Sequence, residues 1–120
     1  MISKCSIPAA ADLATWSSHD WTDGLQLTTL PDLEMLAVRT RNSTYEITVL
    51  SGQTGDILVR GGQFFPEHTR ARLAGSSLGG SFLKRHGLYV GFQMELHDEG
   101  RTIVTTKIQS IERRSNDRVQ

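Results

Sequence analysis

The residues best able to do chemistry crowd into one run, RARLAGSSLGGSFLKRHG, which begins at Arg70 and ends at Gly87. Arg70, Arg72, Lys84 and Arg85 bracket Gly75, Ser76, Ser77, Gly79 and Gly80. Residues 66–86 hold four basic side chains against one acid, Glu67, an excess of +3 in a chain whose thirteen basic and thirteen acidic residues cancel. Glycine-rich turns aim several backbone amides at one anion. Cations beside such a turn would hold a phosphate, a carboxylate or a nucleic-acid backbone, and these nine residues are the candidate anion site. Phe64, Phe65, Phe82 and Tyr89 are the nearby aromatic platforms on which a base can stack. The competing account is architectural. Glycines let two backbones cross closely, the basic side chains are solvated, and Leu73, Leu78, Phe82 and Leu83 plug one end of the core. The architectural account is preferred, and anion binding is the functional alternative.

Sharper chemistries fit less well. Gly75 and Gly80 have the separation of a phosphate-binding loop, but Ser81 and Phe82 stand where its Lys and Ser/Thr belong, and the strand and helix around such a loop are missing. Gly75, Ser77 and Gly79 match G-x-S-x-G with Ser77 as nucleophile, but that motif works on a strand-to-helix elbow above a parallel sheet, which this chain does not encode. His19, His68, His86 and His97 share no zinc-like spacing, so no metal is assigned. Cys5 stands alone with only Lys4 to lower its pKa. No cofactor is implied.

Charge balance removes the global field that draws a protein onto nucleic acid or anionic lipid. The single cysteine forbids an internal disulfide, and the first residues lack the apolar run of a secretory signal. No segment approaches the roughly 20 apolar residues of a membrane helix. The expectation is a soluble, cytoplasmic protein with no membrane partner. Asn42, Ser43 and Thr44 form a glycosylation sequon that reads as a polar hairpin turn.

These groups must be positioned by a sheet. From Leu25 onward the hydrophobic period is two. TYEITVL places Tyr45, Ile47 and Val49 on one face; LYVGFQMEL does the same for Leu88, Val90, Phe92, Met94 and Leu96. LEMLAVRT and DILVRGGQFF are strand-like, and RTIVTTKIQSI puts Val104, Thr106 and Ile108 on one face, with Ile111 out of step. RNS, SGQTGD and HDEG are the connecting turns, with Gly100 placed for the left-handed residue of a hairpin. Residues 66–75 read as one or two helical turns, opened by Pro66 and closed by Gly75. The predicted fold is all-β: a small antiparallel barrel of five to six strands, SH3-like first and OB-like second, with one short helix. The barrel covers residues 25–114. Residues 1–24 form an arm, partly helical around residues 8–16, and residues 115–120 fray.

The arm carries both tryptophans, Trp16 and Trp21. A segment with nothing to bury rarely holds two, so they are the candidate interaction residues, packing on the body or on a partner. The expected function is a non-enzymatic interaction or assembly module, associating with itself or with another protein. The alternatives are an anion- or nucleic-acid-binding barrel using residues 70–86, and an enzyme whose site is not recognisable.

Overall fold

The computed structural model describes residues 23–78 and 82–114. Within them lie β1 (Gly24–Gln26), a 3-10 turn (Leu27–Thr29), β2 (Met35–Thr40), β3 (Thr44–Ser51), β4 (Asp56–Gly61), β5 (Phe65–Ser77), β6 (Leu83–Arg85), β7 (Gly87–Tyr89), β8 (Gln93–Asp98) and β9 (Arg101–Arg114). Seven strands form one antiparallel sheet in the order β4-β3-β2-β9-β8-β5-β6, and β1 pairs with β7 in a second. β4 also pairs with β5, which connects the order back on itself. No helix among the described residues is long and apolar enough to cross a membrane.

The two longest strands make that connection. β5 pairs with β4 through its first half and with β8 through its second. β9 pairs with β8 and then with β2. Both carry register shifts, and a bulge of that kind lets a strand bend by adding an unpaired residue. Inside lie Leu27, Leu36, Val38, Ile47, Val49, Ile57, Val59, Phe65, Leu73, Leu88, Met94, Leu96 and Ile108, all essentially inaccessible. Ile47, Val49, Leu88, Phe92 and Met94 are buried as their alternation predicts.

The structure corrects four expectations. Residues 66–75 are strand, not helix. Thr69, Ala71 and Leu73 alternate with Arg70 and Arg72, and pairing on β4 and β8 outweighs the helix preference of Arg, Ala and Leu. Pro66 is tolerated because it sits at an irregular point of the β4–β5 ladder, between the Val59↔Thr69 and Gly61↔Phe65 pairs. Second, residues 88–96 are two strands, β7 and β8, separated at Gly91, whose φ is +96°. Nine strands therefore replace the five or six expected among these residues. Third, Val104 is 40% exposed while Ile103 is buried. The β8–β9 register shifts between Gln93↔Lys107 and Glu95↔Val104, which places one extra residue in β9 and swaps the faces. Fourth, Leu83 is exposed and plugs nothing. The hairpin at Gly100 is as read, with φ +84°.

Candidate functional site

Residues 70–86 are mostly built into ladders. Gly75 lies between β6 and β8, opposite Arg85 and Glu95. Its φ is +148°, and a Cβ would overlap the Lys84 carbonyl oxygen of the neighbouring strand. The glycine therefore reports a close backbone approach. Ser76 is buried: its Oγ donates to the Gly87 carbonyl at 2.9 Å and accepts the Tyr89 amide at 3.0 Å, tying β5 to β7. Ser77 is also buried within β5, and its Oγ has no hydrogen-bond partner. A hydrolase serine must stand exposed on a turn, and this one lies inside a sheet. Gly79, Gly80, Trp16 and Trp21 lie outside the described residues.

The basic side chains divide. Arg70 and Arg72 project from β5 and share one carboxylate, Asp56, at 3.8 and 3.9 Å. Lys84 and Arg85 lie on β6, opposite Ser76 and Gly75. Arg72 and Arg85 both act on His86, a residue whose importance the sequence does not signal. His86 is buried with φ +58°. Its amide donates to the Ala74 carbonyl at 2.8 Å and its carbonyl accepts the Leu27 amide at 2.9 Å. The imidazole lies against Gly55, where an added Cβ would come within 3.0 Å of the ring. Burial lowers the His86 pKa, the positive charges of Arg85 and Arg72 lower it further, and a hydrogen bond with the Thr54 backbone opposes them. The group is a neutral pin between the β3–β4 turn and the β6–β7 corner.

Two other features stand out. The turn before β2 is closed by the Glu34 amide donating to the Pro31 carbonyl at 3.3 Å and the Leu33 amide donating to Val49 at 2.6 Å. Leu33 within it has φ +69° and is 57% exposed. Left-handed backbone costs a leucine about 1–2 kcal/mol, and more than half of this side chain is exposed. Met35, two residues on, is also exposed and borders a groove of about 80 Å³ whose other walls include Ile47 and Thr48 and the charged or titratable Glu46, His68 and Arg114.

At a separate place the β2–β3 and β4–β5 hairpins and β9 enclose a cleft of about 370 Å³. Asn42, Tyr45, Gln63, Phe64, Val104 and Thr106 are among its walls. Burial raises the Tyr45 pKa, opposed by a hydrogen bond with Ser43, so the phenol keeps its proton. Of the four aromatic platforms proposed from sequence, Phe65 and Tyr89 are buried, Phe82 is partly covered and Phe64 is exposed. Sequence reading passed over this cleft, although residues 35–45 contain Arg39 and Arg41 and no acid. Among the described residues no three His, Cys, Asp or Glu side chains group as a metal site requires.

No protein-family model, no curated protein and no solved structure matches this chain.

Proposed function

We propose that the chain is a non-enzymatic assembly module that pairs with a second copy of itself through the corner at Leu33 and Met35. The observation that carries this reading is Leu33: a bulky apolar side chain held outward on a backbone that suits glycine or asparagine. The turn from Pro31 to Glu34 requires positive φ at its third position, and a leucine rather than a glycine or asparagine there is what an apolar contact would use. The charges flanking the corner are paired within the chain, Glu34 with Arg113 at 2.7 Å and Glu112 with Arg114 at 3.7 Å, so the contact rests on the apolar side chains. A two-fold axis sets Leu33 of each copy against Met35 of its mate.

In this reading the ladder that returns on itself is a small barrel. Its neighbours β2, β3, β4, β5, β8 and β9 follow one another along the chain, a meander that suits the SH3-like alternative better than the Greek-key order of an OB-like one.

Leu33→Asn tests the assembly. It relieves the left-handed strain and removes the apolar side chain. Light scattering should give a dimer mass for the wild type and a monomer mass for the variant, with the variant's fold unchanged. A monomeric wild type, or a variant that dimerises as well as the wild type, would overturn the reading.

A further inference from the structure

We propose that the cleft between the β2–β3 and β4–β5 hairpins binds the base–phosphate unit of a nucleotide, on a surface separate from the Leu33 corner. Two observations converge there. The first is charge. Among the described residues, Arg60, Arg70, Arg72, Arg101, Arg113 and Arg114 each have an acidic partner within 4 Å. Arg39 and Arg41 form no ion pair among the described residues. They line a groove of about 190 Å³ together with Thr40, Asn42, Ser43 and Thr44. Residues 39–45, 61–66 and 104–108, the segments that build this end of the sheet, contain no Asp or Glu. Among the described residues, two of the three arginines without an ion pair thus lie together on one hairpin, the third being Arg85 on β6. Guanidinium groups with hydroxyl and amide donors between them make the donor set that phosphate oxygens accept from.

The second observation is the adjoining cleft. The arginine groove and the cleft share Thr40, Asn42 and Ser43, so a ligand can occupy both. Phe64 is 43% exposed in the cleft wall and offers a ring face. Asn42, Gln63 and the protonated Tyr45 phenol bring donors and acceptors suited to the edges of a base. The Thr106 hydroxyl, buried in the same wall, has no hydrogen-bond partner. The walls of the cleft carry no charge, which suits a neutral ring, while the charge lies in the groove beside it. Stacking on an aromatic side chain is tolerant of base identity, so recognition here is by phosphate and ring rather than by sequence. The same unit comes from a free nucleotide or from single-stranded nucleic acid. Duplex, whose bases are stacked inside, presents no ring to Phe64.

The test uses the full chain, labelled with nitrogen-15, and four probes at low salt: AMP, inorganic phosphate, a twelve-nucleotide thymidine strand and its duplex. Amide shifts should move at Asn42, Ser43, Gln63, Phe64 and residues 104–106 with AMP or with the single strand. Phe64→Ala should weaken binding by about tenfold without altering the salt dependence, since stacking is the interaction lost. Arg39→Ala with Arg41→Ala should weaken it further and lower the slope of log affinity against log salt by roughly 2. AMP binding as tightly as the strand identifies a free nucleotide as the source; a much tighter strand identifies nucleic acid. Arg70→Ala with Arg72→Ala serves as the control and should change nothing. The proposal fails if no probe binds. It fails if shifts cluster on residues 70–86 and the Arg70/Arg72 variant abolishes them. It also fails if phosphate or duplex binds as well as AMP and the strand and Phe64→Ala has no effect.

Discussion

At the scale of single residues, His86 ties folding to pH. Its imidazole loses its proton more readily in the folded protein than in the unfolded chain, because burial and two neighbouring guanidiniums disfavour the cation. The unfolded chain therefore binds more protons below its ordinary His value of 6.5, and stability falls as pH drops from there through the folded value. Above that window the contribution is whole. His86→Asn keeps a residue that accepts left-handed backbone and cannot titrate. Denaturant midpoints of the wild type should fall between about pH 7 and pH 5, and those of the variant should fall less; equal slopes would show that His86 does not sense pH. None of this was legible in the sequence, where His86 is one basic residue after two others. Positive φ, burial and convergence with Arg72 appear only once β5, β6 and the β3–β4 turn are assembled.

At the scale of elements, β9 shows how far periodicity reads a strand and where it stops. Alternation identified the strand, and Ile111 falling out of step identified an irregularity. That irregularity is the shift between Arg39↔Ser110 and Thr40↔Ile108, which leaves Gln109 extra; a second extra residue, between Val104 and Lys107, gave no such signal, because Ile103 and Val104 are both good strand residues and only the β8 register chooses between them. The choice is measurable. Ile103→Ala should cost on the order of 2–5 kcal/mol in an equilibrium denaturation, the usual loss for a buried isoleucine. Val104→Ala should change stability by under about 0.5 kcal/mol, as at most surface positions. The reverse order of the two values would shift the bulge. β5 failed for a related reason. Pro66 and Gly75 mark the start and stop of a helix in isolation, yet here they mark a ladder irregularity and a backbone contact with β6. Propensity is local, and pairing with β4 and β8 is not.

At the scale of the whole molecule, the sequence declared an all-β chain through its repeated period of two and its turn residues, and the regular structure of the described residues is strand apart from one 3-10 turn. What joins the first strands to the last was not declared, because the β2–β9 pairing depends on no local signal. That seam has a kinetic meaning. Glu34 and Arg113 meet across it although they are 79 positions apart. Most neighbours in the sheet are hairpin partners a short loop apart, whereas the seam needs nearly the whole intervening chain to be ordered first. Loop closure of that length is slow, and sheets that depend on it fold in milliseconds to seconds. The hairpins form early and the seam late, so side chains that pack only across it contribute little in the transition state. Ile111→Ala, opposite Val38 on the part of β9 that pairs only with β2, should speed unfolding while leaving the refolding rate nearly unchanged in a chevron analysis; a slowed refolding arm would place the seam in the nucleus. The same delay leaves the edges of β2 and β9 unpaired while the rest of the sheet is made, and during that interval another chain can pair with them.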